Sequence, residues 1–234
     1  MSTTSATATG TWSSRKISLV AGILYLITFV SIPTLVIYGS VKSANYILGA
    51  GPDTLAVVGG ILEIIVALAG ISTAVVLFPL LKKQDERFAL GLVAARILES
   101  GTIFVGVAFI LSIVSLRQAG AGAGALLISQ VLVTLYDRIF LLGQSFMPAI
   151  CDLLLGCLLY QSRLVPRALS LIGIAGAFVL VAAYLAVLFG LVGQHDPAAG
   201  IAAMPVALFE FSLGIWLIVK GFDNRAVADL ESKY

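Results

Sequence analysis

Residues 88–99 read Phe-Ala-Leu-Gly-Leu-Val-Ala-Ala-Arg-Ile-Leu-Glu and open an apolar run that ends near Ser115. The run is long enough to cross a bilayer, which takes about 20 residues of helix. Yet it carries Arg96 and Glu99 well inside its length. A fixed charge in hydrocarbon costs several kcal/mol, on estimates from roughly 2.5 to above 10. Something else in the protein must answer that pair. The stretch therefore predicts a bundle of membrane helices with a polar interior.

Composition agrees. The 234 residues are 60% hydrophobic and 11% charged, with a mean hydropathy of +1.09, against about 45–50% apolar and about 25% charged in soluble domains. A soluble fold of this size could not cover so much apolar surface, so the expected partner is the lipid bilayer. A net charge of +2 offers no basic excess for nucleic acid.

Six runs are long enough to span: residues 17–38, 54–81, 88–115, 139–161, 168–192 and 200–220. They predict an all-α, polytopic six-transmembrane-helix bundle over residues 15–222. A disordered cytoplasmic tail is expected over residues 1–14 and a short cytoplasmic tail over 223–234. The first run exceeds the ~7–15 residues of a signal-peptide core and is expected to stay as a span. Basic residues near span ends set orientation. With the N-terminus inside, the inner side holds ten of them and the outer side three (Lys42, Arg117, Arg138); Arg96, within a span, completes the 14. Both termini are expected in the cytoplasm.

The second outer connection holds Gly120, Gly122 and Gly124 and is expected to hinge. Residues 125–136 are apolar but too short to cross, and Gln130, Thr134 and Asp137 recur at helical spacing. Two readings fit: an amphipathic helix at the outer interface, or an extension of the fourth span. Pro148 falls inside that span and is expected to kink it. Pro79, Pro166 and Pro205 lie near span ends, where proline is tolerated. Cys151 and Cys157 are six apart on one helix and face different sides, which predicts two packed, reduced thiols with neither a disulfide nor a metal pair.

Five ionisable side chains fall inside spans: Glu63, Arg96, Glu99, Asp152 and Glu210. Their neighbours at helical spacing are small, such as Gly59, Ala67 and Gly70 around Glu63 and Ala203, Ala207 and Gly214 around Glu210. Small residues mark close helix packing, so the acids are expected to point inward. Arg96, Glu99, Asp152 and Glu210 lie at similar depth and predict a central layer; Glu63 lies nearer the outer side, as a second sub-site. Fully ionised, the five sum to −3, an excess that hydrocarbon will not hold. Protons or bound cations would remove it, with Glu99 paired to Arg96 and with Asp152 and Glu210 sharing a proton.

Three functions fit these residues. One is binding or transport of a small solute or cation, coupled to protons through the buried carboxylates. The second is a structural or regulatory role in which the polar core only fixes helix packing. The third is a membrane enzyme acting on lipid head groups. No catalytic residue is assigned. The only histidine, His195, lies in a short outer loop, no metal-binding helix is present, and no cofactor is expected.

Residues 153–166 read LLLGCLLYQSRLVP and continue into RALSLIG, and residues 209–222 read FEFSLGIWLIVKGF. With Arg96 followed by Glu99, and with Glu210 ahead of Trp216, Lys220 and Gly221, these segments resemble an uncharacterised family of bacterial six-span membrane proteins, a domain of unknown function. The resemblance covers about residues 15–222; Cys157 stands where an aromatic or another apolar residue is expected. It implies the six-span fold and a bacterial cytoplasmic membrane, and no activity.

Overall fold

Backbone amides in hydrocarbon must be bonded within their own segment, which makes open spanning segments helical. A computed structural model of the chain describes residues 12–49 and 52–232, and helices are the regular elements among them, with no strand. Residues 1–11 of the expected N-terminal tail lie outside the described residues.

The first span, Ser14–Ile37, is broken. Helix α1 (Ser14–Ile27) gives way to a 3-10 turn at Thr28–Ser31, and a short α2 (Thr34–Ile37) follows. Pro33, which has no N–H to donate, sits at the break. The Thr28 and Thr34 hydroxyls donate to the carbonyls of Tyr25 (2.6 Å) and Ser31 (2.7 Å) around the disturbed turn. Helix α3 (Thr54–Leu81) matches the second run, and α4 (Glu86–Gln118) extends the third at both ends. Asp85 caps α4, its Oδ1 accepting from the amides of Arg87 and Phe88.

Of the two readings for residues 125–136, the structure has the extension. Helix α5 (Leu126–Phe140), a π-helical segment at Leu141–Phe146 and α6 (Met147–Ser162) form one span of 41 residues, Gly122–Ser162. At about 1.5 Å per residue it is roughly 60 Å long, twice the hydrocarbon thickness, so much of α5 stands beyond the bilayer core. The disturbance expected at Pro148 takes the form of the π segment, one turn earlier. In an α-ladder Pro148 would crowd the Gln144 carbonyl without bonding to it, and the ladder adjusts where Gln144 lies. Helices α7 (Arg167–Leu188) and α8 (Pro197–Val219) complete the spans. Pro205 lies deeper than expected, in the interior of α8, because that helix starts at Pro197.

Six crossings return the chain to its starting side, here the near side. The spans stand in a ring in chain order, each packed on its sequence neighbours, and α8 closes on α1. Closure needs glycine: a Cβ on Gly22 would sit 2.7 Å from the Gly214 carbonyl oxygen. Arg15 adds hydrogen bonds to the carbonyls of Leu217 (3.1 Å) and Ile218 (2.6 Å) at the end of α8.

The near half of the ring is filled by the largest apolar cluster, which includes Leu77, Leu81, Leu92, Leu155, Phe209 and Leu217. Within residues 223–234 a last helix, α9 (Asn224–Glu231), is capped by Asp223 and buries Val227 and Leu230 against the same cluster. Large apolar side chains such as Leu68, Leu98, Phe178 and Ile201 are exposed along the spans, as lipid-facing surface requires. On the far side, the Asp53 carboxylate accepts from the Tyr46 hydroxyl (2.5 Å) and Gln118 (3.0 Å) and pairs with Arg117 (2.6 Å). The Tyr46 bond, then Gln118 and Arg117, hold its carboxyl below the usual carboxylate range against desolvation. Burial, with the bond to Asp53, pushes Tyr46 up to about 12.

Candidate functional site

The far half of the ring encloses a cavity of about 570 Å³. Its rim carries Lys42, Asp137, Gln194, His195 and Asp196; its floor reaches Arg96, Glu99 and Glu210. Ala203 and Ala207 of α8 line it. The sequence marks both as packing residues, but a small side chain can also leave space, and here it does. Gly214, one helical turn beyond Glu210, makes the close contact instead.

At the floor Arg96 bridges two carboxylates. It donates from one terminal nitrogen to Glu99 Oε2 at 2.9 Å, within α4, and from the other to Glu210 Oε1 at 2.6 Å, across to α8. An acid from the sixth span therefore answers the arginine, as its burial demands. The Cys151 thiol donates to the same Glu99 oxygen at 3.6 Å, and the Tyr25 ring lies 5.8 Å from the guanidinium carbon. Arg96 Nε has no hydrogen-bond partner among the described residues.

Asp152 stands apart. It is wholly buried on α6, and neither carboxyl oxygen has a hydrogen-bond partner among the described residues. No hydrogen bond links it to Glu210, with which the sequence suggests a shared proton; Glu210 turns to Arg96. The charged groups that act on Asp152 are Glu210, Arg96 and Glu99.

Glu63 lies apart from the Arg96 cluster. Wholly buried, it accepts at Oε1 from the Tyr136 hydroxyl (2.6 Å) and from Gln144 (3.5 Å), while its Oε2 has no hydrogen-bond partner among the described residues. Tyr38, Tyr136 and Gln144 line the cavity and stand between it and Glu63. Above them Lys42 pairs with Asp137 at 2.7 Å, its Nζ lying 4.3 Å from the centre of the Tyr136 ring. The single residues that sequence reading misses are Tyr25, Tyr38, Tyr136, Gln144 and Cys151. Cys151 is a packed thiol as expected and also a donor to the site; Cys157 is free and half-buried. Among the described residues no group of three or more His, Cys, Asp and Glu is arranged to hold a metal ion.

The arrangement is a cavity in the far half of the ring with a charge cluster at its floor. Beyond it lie a carboxyl with no internal donor and a packed apolar plug. The model of a family described as a domain of unknown function, DUF4386, matches residues 20–221 of the chain. No curated protein and no solved structure matches it.

Proposed function

The chain belongs to the DUF4386 family, and from that premise we propose that it binds or transports a small solute from the far side of a bacterial cytoplasmic membrane, with protons as the coupling ion. The excess of basic residues on the near side supports an orientation with both termini in the cytoplasm. The cavity then faces outward. Solute meets Arg96, Glu99 and Glu210 at the floor, and Asp152 takes up and releases the proton. Intramembrane carboxyls in a bundle interior serve proton relays in pumps and transporters; Glu99 and Glu210 line the cavity, and Asp152 lies buried behind them.

The observation that carries this reading is the cavity's reach from rim to floor. A protein whose polar core only fixed helix packing would have that core paired and dry. The test is accessibility. Ala207→Cys lines the cavity, and Leu213→Cys lies in the near-side plug. A membrane-impermeant cationic methanethiosulfonate added outside intact cells should modify the first and spare the second. An Ala207→Cys that stays unmodified in folded protein would favour the packing role and sink the solute path.

A further inference from the structure

We propose that the cavity takes an amphipathic organic monocation, an ammonium head on an apolar body; this rests on reading the cavity as a solute site. Size is the first argument. Pockets for drug-sized ligands run from about 300 to 1,000 Å³, and the cavity measures about 570 Å³. A bare ion would instead need several oxygens closing on one point, at roughly 2.0–2.6 Å for a divalent cation.

Charge is the second. The lining holds the cations Lys42 and Arg96 and the acids Glu99, Asp137, Asp196 and Glu210, a net −2 when all ionise and His195 is neutral. Both cations already face carboxylates, Lys42 that of Asp137 and Arg96 those of Glu99 and Glu210. An anion would have to displace an acid to reach Lys42 Nζ or either terminal nitrogen of Arg96. A cation entering low-dielectric walls of net negative charge is drawn inward.

The third is the lining. The floor carboxylates of Glu99 and Glu210 give an ammonium head oxygens to donate to. Around that head the walls are aromatic and aliphatic, among them Phe29, Ile103, Phe140, Leu180 and Tyr184. Ring faces attract cations, as Lys42 over Tyr136 already illustrates. Ile32 and Leu35 of the broken first span line the cavity and are 55% and 70% exposed, so an amphipathic molecule can also approach along an apolar wall.

The test uses the full chain in lipid nanodiscs and three probes of one shape: 4-phenylbutylamine, 4-phenylbutanol and 4-phenylbutyrate. The amine should raise the thermal midpoint and bind roughly tenfold or more tighter than the alcohol, the size of one charge-assisted hydrogen bond. The butyrate should bind least. Ala203→Trp, which fills the cavity and removes no charge, should weaken the amine by roughly tenfold or more, as loss of a buried apolar contact surface implies. Glu210→Gln should weaken it similarly, with Glu210→Asp recovering part. Tighter binding of the butyrate would overturn the cation assignment while leaving a solute site standing. Equal binding of all three, unmoved by Ala203→Trp, would overturn it as well. An unmodified Ala207→Cys would instead remove the solute site itself.

Discussion

Arg96 is 3% exposed and held between two carboxylates, Glu99 on its own helix and Glu210 on α8. Removing one partner of a buried ion pair strands the other, at a cost of about 3–5 kcal/mol. Arg96→Leu strands two acids at once, so it should lower the thermal midpoint and the folded yield sharply. Adding Glu99→Gln and Glu210→Gln should recover most of that loss, because no uncompensated charge is left. Equal loss in the single and triple variants, followed by thermal denaturation of the purified protein, would show that the bridge does not hold the floor together. The charged residues of this site were legible from sequence because a charge inside an apolar run stands out. Their pairing was only half legible. Counting residues from a span end gives height to within a turn, but azimuth depends on how each helix is rotated by its packing. Height alone therefore does not show that Glu210 turns to Arg96. Tyr136 and Gln144, which supply the donors to Glu63, give no comparable signal, since such residues occur in spans for many reasons.

At the scale of the element, the π segment at Leu141–Phe146 decides which faces of the fourth span point inward. Tyr136 and Asp152 are 16 residues apart, which in an unbroken α-helix puts them about 160° apart. One extra residue in a π turn removes roughly 100° of that, leaving them about 60° apart. Tyr136 can then reach Glu63 while Asp152 is buried in the same bundle. Deleting Leu142, which is exposed, should restore the α-ladder with the phase kept, because 15 α-helical residues also set Tyr136 and Asp152 about 60° apart. We expect that deletion to keep monodisperse protein on size-exclusion chromatography, whereas an alanine inserted after Leu142 turns α5 by about 100° against α6 and loses it. An insertion as well tolerated as the deletion would mean that register across this segment is unimportant. The six spans themselves were plain from hydropathy. The break at Pro33 was visible as a residue, yet it lies inside a run that hydropathy alone treats as continuous.

For the whole molecule, the proposed orientation makes a direct prediction. Ala121→Cys, exposed on the far side, should react with an impermeant maleimide in intact cells. Ser232→Cys, exposed on the near side, should react only after permeabilisation. The reverse pattern would turn the protein over and point its cavity at the cytoplasm. The ring joins the first span to the last, and the bridge from Arg96 to Glu210 crosses 114 residues of chain. At roughly 5–20 residues per second of synthesis, the arginine is made about 6–23 seconds before its second acid exists. During that interval the nascent third helix has only Glu99 to lean on. Ribosomal delay between spans three and six is therefore a period of exposure to membrane quality control, and the final helix acts as the latch that ends it.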